Sequence, residues 1–481
     1  RVIDLDGLTL APGFIDIHTH CDFTLPRYPR AQAMVRQGVT TLVGGNCGFS
    51  PFPLIPERLD LMRSYSAFLD AGIDWSWNSA GQYAAMLDSL PLACNVALQV
   101  GHGAVRIAVM GFDNRAPTGL ELERMQALVA AAMVEGAVGL SSGLIYSPSG
   151  YSQTEELIAL AEMAGRFRGF YSSHIRGEGA TLLDSVSEAI TIGRAARVPV
   201  QLSHHKVVDE PNWGRTEASL ALIDEACVEG LDVMADQYPY TAGSTTLSAL
   251  LPGWAVEGGV DAMQTRLQNP DQRAQIRNDI SRSERFGTDT VLIASVPDGP
   301  FKEFEGLRLG EIARRRGQAP VDAALDLVSA HGASIGMITF SMHEDDVRRV
   351  MRHPSVAVAS DGWTLSPEAG GKPHPRSYGT YARVLGRYVR DEGVLTLPEA
   401  VRKMTSLPAR RLGRPDLGQV RPGFEADLVV FNPDTIRETA TYADPHQYCE
   451  GVAHVMVNGQ LVIEAGQDTG AAAGRVLRSI L

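Results

Sequence analysis

The chain has 481 residues and a formal net charge of −13, from 43 lysines and arginines against 56 aspartates and glutamates. That length is too great for one small binding module and suggests a large domain with appendages, while the acidic balance argues against a general nucleic-acid binder. A hydrophobic fraction of 44% leaves ample apolar surface for a core, and without an uninterrupted apolar run of about 18 residues no membrane span is expected.

Arg1–Leu5 reads as an opening strand, expected to pair with the tail of the chain. Because the sequence opens at Arg1 and not at Met, Arg1 is not expected to be the native start, and the lack of a leader says little about location. Short β-forming runs then alternate with helix-like segments. Strands are expected at Phe14–His18, Val39–Gly44, Asn95–Gly101, Ala137–Ser141, Gly169–Ser173, Val198–Ser203, Asp232–Asp236 and Ser355–Ser360. Such alternation implies a parallel sheet covered by helices, and eight strands suggest an α/β fold of the TIM type, a closed (β/α)8 barrel with insertions. An open doubly wound sheet is the alternative, but no Gly-x-Gly-x-x-Gly turn follows the first strand. A further run, Gly336–Phe340, leaves the strand count open by one.

Residues 242–334 are richer in Gln, Asn, Asp and Arg and read as an inserted lid subdomain. Beyond Arg414-Pro415 the texture changes again. Asp427–Phe431, Ala453–Val457 and Gln460–Ile463 read as strands, with Asn458-Gly459 as a hairpin turn. The expected organisation is a barrel over 11–414 and a small β-sandwich formed by the chain termini, 1–10 and 415–481.

Several expected strand ends carry residues suited to chemistry. His18 and His20 are two apart, so on a strand both imidazoles point the same way. Cys47 follows the second strand, His174 the fifth, His204 the sixth and Asp361 the eighth. Barrel enzymes gather their sites at such strand ends, and imidazole, thiolate and carboxylate together suit Zn2+. Alone, a buried cysteine is usually structural and Asp-Gly usually a turn; it is the ordered recurrence at separate strand ends that points to a metal. Cys21 and His205 neighbour these positions but should face the other way. His102 faces the same rim and reads as a supporting or structural residue. The five cysteines are few, odd in number and widely spaced, which suits a reduced, cytoplasmic chain better than a disulfide framework.

The run Ala11-Pro12-Gly13-Phe14-Ile15-Asp16-Ile17-His18-Thr19-His20 resembles the opening of the amidohydrolase superfamily. Gly45-Asn46-Cys47-Gly48, Ser141-Ser142-Gly143, Ser173-His174-Ile175-Arg176, Ser203-His204-His205-Lys206, Tyr238-Pro239-Tyr240, Ser360-Asp361-Gly362 and His374-Pro375-Arg376-Ser377 are similar to the N-acyl-D-amino-acid deacylases, or D-aminoacylases. The resemblance spans nearly the whole chain, although the family usually carries a further β-sandwich segment before the first barrel strand. It implies zinc-dependent hydrolysis of N-acyl-D-amino acids, with Cys47, His174 and His204 holding the main zinc. His18 and His20, with Cys47 and Asp361, would form a second site that is weak or empty, and Asp361 would be the general base. D-chirality follows from the resemblance alone.

The lysines add an argument of their own. There are four, Lys206, Lys302, Lys372 and Lys403, and none precedes position 206. Hydantoinases and dihydroorotases bridge two metals with a carboxylated lysine between the paired histidines and the next ligand histidine, and this chain cannot; the Cys47 thiolate can supply the negative ligand instead. Tyr146 is expected to stabilise the oxyanion, Arg376 and Lys206 to receive the substrate carboxylate, and Tyr238 to donate a further hydrogen bond. An acidic substrate side chain would want another cation from the insert, where Arg266, Arg273, Arg277, Arg282 and Arg285 are available. The alternatives are another amidase of the superfamily, acting on a hydantoin, dihydroorotate-like or dipeptide substrate, and a non-catalytic barrel. The expected partner is a small molecule, with no nucleic acid and no membrane; oligomeric state is open.

Overall fold

Eight short strands, all of them buried at every position, run parallel in one sheet: Phe14–Asp16, Val39–Gly44, Asn95–Gly101, Gly139–Gly143, Phe170–His174, Val200–Leu202, Val233–Gln237 and Val356–Val358. The computed structural model describes residues 3–5, 7–282 and 290–479. Val39–Gly44 and Asn95–Gly101 show no exposed position because helices cover one face and the barrel interior the other. Each strand pairs with its neighbour in the barrel series. The sheet closes just past the ends of its first and last strands, where Thr19 and Gly362 form a parallel bridge. There Asp361 N–H donates to His18 C=O at 2.8 Å and His20 N–H donates to Gly362 C=O at 2.9 Å. The seam that makes the sheet a barrel therefore runs through three residues proposed for chemistry.

The insertion has its own sheet and its own core. Gly243–Thr246, Val291–Ser295 and Gly336–Thr339 form a three-stranded antiparallel sheet with Gly336–Thr339 in the middle. Leu247, Ile276, Leu309, Ile312, Leu325 and Val328 pack together beneath it, apart from the barrel's apolar clusters. The uncertain ninth run thus belongs here and not to the barrel, and the insert runs past residue 334. Its central strand finds both hydrogen-bonding partners inside the insert.

The two ends of the chain meet in a five-stranded antiparallel sheet, in the order Thr9–Pro12, Leu428–Phe431, Val452–Val457, Gln460–Glu464, Gln467–Asp468. The N-terminal member is Thr9–Pro12, set opposite Leu428–Phe431, and not the expected Arg1–Leu5. Ile3–Leu5 belong to no strand, and Arg1 and Val2 lie outside the described residues. At the hairpin, Asn458 and Gly459 have φ of 47° and 80°, the pair of left-handed conformations a two-residue turn of this type needs. Among the described residues no helix is long and apolar enough to cross a membrane.

Candidate metal centre

The segments at the strand ends converge, although His18 and His20, expected on the first strand, lie just beyond its end at Asp16. Cys47 Sγ lies 3.3 Å from His18 Nε2 and 3.4 Å from His204 Nε2. His204 Nε2 is in turn 2.8 Å from His174 Nδ1. Asp361 Oδ1 stands 3.2 Å from His20 Nε2 and 3.4 Å from His18 Nε2. Three overlapping donor groups result: His18, His20 and Cys47; Cys47, His174 and His204; His18, His204 and Asp361. All six residues are buried.

The local backbone is shaped for this. Cys47, His204 and Asp361 all adopt left-handed conformations, with φ of 54°, 37° and 50°. Each such residue costs about 1–3 kcal/mol unless its surroundings hold it there, so strain is concentrated at the donor positions. Gly45 makes the loop before Cys47 possible: its φ is 79°, and a β-carbon on it would lie 2.1 Å from the Gln99 carbonyl oxygen. Cys21 and His205 belong to none of the donor groups. His205 turns its Nε2 to Ser219 Oγ at 2.8 Å, away from the cluster. His102 is tied between Ser149 and Glu156 in a buried network that Arg106 completes.

Two carboxylates that the sequence did not single out orient the imidazoles. Asp236 Oδ1 is 3.0 Å from His18 Nδ1 and also accepts the His204 backbone N–H at 2.7 Å. Glu178 Oε1 is 3.2 Å from His204 Nδ1. A carboxylate behind the far ring nitrogen fixes a ligand histidine's tautomer and leaves its other nitrogen free to bind. His174 Nε2 and Asp361 Oδ1 are buried without a hydrogen-bond partner. A tetrahedral zinc with nitrogen ligands at about 2.0–2.1 Å and sulfur at about 2.3 Å sets its donors roughly 3.3–3.6 Å apart. The spacings to Cys47 match that value and the His174–His204 spacing is shorter, so the donor set fits zinc in chemistry and, at Cys47, in spacing.

Charge is arranged to keep the anions ionised. Burial alone would raise the Cys47 thiol, but His18 and His204 hold it well below its ordinary value. Burial likewise opposes ionisation of Asp361, and Arg376, His18 and His20 outweigh it, holding the carboxyl well below the usual carboxylate range. Arg376 Nη1 lies 2.9 Å from Asp361 Oδ2. Lys206 Nζ lies 2.5 Å from Glu178 Oε1 and 2.8 Å from His204 Nδ1.

His20, Cys47, His174, Glu178, His204, Lys206, Asp361 and Arg376 line one cavity of about 130 Å³. Tyr146 forms part of its wall, its hydroxyl 2.9 Å from Thr245 Oγ1 and its ring edge-on to His174. Tyr238 backs both cations with its ring face, 4.7 Å from the Arg376 guanidinium carbon and 5.7 Å from Lys206 Nζ. The arginines of the insert do not reach the cavity among the described residues. Arg273 and Arg277 are engaged by Asp326 and Asp322, and Arg266 by backbone carbonyls of its own segment; Arg285 lies outside the described residues.

The whole arrangement sits within residues 1–463, which match the model of the amidohydrolase family. A D-aminoacylase of Alcaligenes xylosoxydans xylosoxydans is 38% identical over 99% of this chain and 88% of its own length. The chain belongs to the amidohydrolase family, among the D-aminoacylases. The crystal structure of an N-acyl-D-glutamate deacylase from Bordetella bronchiseptica, complexed with zinc and a phosphonate mimic of the reaction's tetrahedral intermediate, superimposes with a TM-score of 0.84. It shares 37% identity and is matched over 99% of this chain and 90% of its own. A D-aminoacylase structure, described in terms of one-metal activation and second-metal attenuation at a binuclear centre, gives a TM-score of 0.83 at 37% identity, over 99% of this chain and 90% of its own.

Proposed function

We propose that this protein is a zinc-dependent deacylase of N-acyl-D-amino acids, releasing a carboxylate and a D-amino acid. The observation that carries the reading is the joining of two features in one buried cavity. A Cys47/His174/His204 donor set with Asp361 beside it shares that cavity with two cations, Arg376 and Lys206, which supports reading them as the receptors of a substrate carboxylate. One zinc would be held by Cys47, His174 and His204; His18, His20 and Asp361, with Cys47, would offer a second, weaker position. A zinc held there would supply hydroxide from water near neutral pH and would polarise the amide carbonyl.

The chain's own groups do the rest. Asp361, ionised in the resting cavity, accepts a proton from the attacking water and returns it to the departing nitrogen, since an amine leaves poorly unless protonated. The Tyr146 hydroxyl donates to the oxyanion that develops on the carbonyl. Arg376, Lys206 and Tyr238 grip the α-carboxylate. Ile145, Leu250, Met337 and Met342 give the cavity an apolar wall, so a neutral side chain is favoured over an acidic one.

The test is a panel of N-acetyl-D- and N-acetyl-L-amino acids on protein of measured zinc content. D-Leucine and D-methionine derivatives should be hydrolysed at least about 100-fold faster, as kcat/KM, than their L counterparts and the D-glutamate derivative, a gap of about 2.7 kcal/mol. Turnover of L substrates alone, or of none, would sink the proposal. Arg376→Ala should lower kcat/KM by about 100-fold or more, because a buried charge-assisted pair to the substrate is lost. N-acyl amines without a carboxylate should lose much less in the same variant, and an equal loss on both substrate types would contradict the role given to Arg376.

A further inference from the structure

A second cavity, of about 110 Å³, lies against the catalytic one. The two share Phe68, Ile145, Tyr146 and Ala249 as a common wall. Their linings differ sharply. The catalytic cavity carries Lys206, Arg376, Glu178 and Asp361. The second has no charged residue among those described; it is built from Phe49, Tyr65, Phe112, Val256, Val260 and Met263, with small residues between them. Its buried hydroxyls, Thr246 Oγ1 and Tyr65 Oη, already donate to the Ala333 carbonyl at 2.9 Å and the Gly48 carbonyl at 3.3 Å. Nothing in this cavity invites a charged ligand, and the apolar lining favours hydrocarbon over water.

Its direction from the donor cluster matters. Tyr146, at the shared wall, is edge-on to His174, with ring centroids 5.2 Å apart. Tyr238, which carries the two cations on its face, neighbours His204 instead, at 6.4 Å. The apolar cavity's wall thus borders the donor cluster at His174, while the ring that carries the charged anchor borders it at His204. A linear N-acyl amino acid has the same polarity: its carboxylate and its acyl tail leave the amide carbon in opposite directions. With the carboxylate at Arg376 and Lys206, the acyl tail is the part directed past Tyr146.

We propose that the second cavity is an acyl subsite, which takes an unbranched acyl chain longer than acetyl. This rests on the deacylase reading above and extends it to the other half of the substrate. Each methylene moved from water onto such a wall is worth about three- to four-fold in binding when fully buried. Four methylenes on a partly open wall should then give at least about a ten-fold gain.

The experiment is a chain-length series, acetyl, butanoyl, hexanoyl and octanoyl, on D-leucine with the zinc-loaded protein. The hexanoyl derivative should exceed the acetyl derivative at least ten-fold in kcat/KM, mostly through KM. Val260→Trp, which fills the cavity, should bring that ratio back to about one. A flat or falling series would overturn the proposal. So would a gain that follows the length of the amino-acid side chain at constant acetyl and is lost in Val260→Trp. If no N-acyl-D-amino acid is turned over, the deacylase reading fails, and the cavity is then judged by calorimetry with hexanoate and acetate. Ten-fold tighter hexanoate binding, abolished in Val260→Trp, supports a hydrocarbon-chain site; equal binding overturns it.

Discussion

Replacing Cys47 by alanine is expected to strip zinc from the protein and to remove at least about 10⁴-fold of the turnover, because the metal supplies both the nucleophile's activation and carbonyl polarisation. Cys47 is the anionic donor of the Cys47/His174/His204 group, and its sulfur also stands within 3.3 Å of His18 Nε2. Without it two neutral imidazoles are left facing each other at 2.8 Å, with no negative ligand to offset the cost of burying a dication. No lysine exists on the preceding strands to replace it. The fold should survive. Alanine tolerates the left-handed backbone at this position no worse than cysteine does, and loss of one small buried side chain costs about 1–2 kcal/mol. Elemental analysis should find metal falling from about one zinc per chain to a small fraction of that, with a circular dichroism spectrum like the parent's. Cys47→Asp, which restores a negative oxygen ligand, should recover part of the metal. A Cys47→Ala protein that keeps its zinc and its rate would sink the assignment.

Much of this centre was legible because the relevant signals are local. The His18-x-His20 spacing marks the pair, although the strand ends at Asp16 and both imidazoles project from the segment just beyond it. Cys47, His174, His204 and Asp361 each follow a β-forming run, and the barrel brings those ends together. What could not be read depends on contacts far apart in sequence. Asp236 lies inside Val233–Gln237 and looks like any strand residue, yet it orients His18, 218 positions away. Glu178 sits in a loop after Phe170–His174, and only the fold sets it against Lys206 and His204. Tyr238 carries a phenol that suggested hydrogen bonding, but its ring face, backing two cations, is the more evident contribution to the resting cavity. The left-handed backbones of Cys47, His204 and Asp361 carry no sequence signature, since none is a glycine. The insert's limits were misread for a related reason: Gly336–Thr339 has an ordinary strand composition, and its partners decide where it belongs. The opening strand was misplaced because Arg1–Leu5 and Thr9–Pro12 are both β-like, and pairing with Leu428–Phe431 selects the second.

Asp361→Asn should lower kcat by about 10³–10⁴-fold while the zinc stays bound, since a positioned general base is worth about 10²–10⁴ and this one is asked to act twice in the cycle. Asparagine is the informative replacement. It keeps the size of the side chain and tolerates the φ of 50° found here. It also leaves Arg376, which is itself buried in the cavity, an oxygen to face. Asp361→Ala should lose activity to the same extent and stability as well, because removing one partner of a buried ion pair strands the other and costs about 3–5 kcal/mol. Metal content separates the possible roles. If Asp361 moves protons, zinc remains near its parental level through Cys47, His174 and His204 and only turnover falls. If Asp361 mainly holds metal, zinc and activity fall together in both variants. Near-normal kcat in a zinc-loaded Asp361→Asn protein would eliminate it as the base, and Glu178, a cavity carboxylate 3.8 Å from His174 Nε2, would be next to be tested.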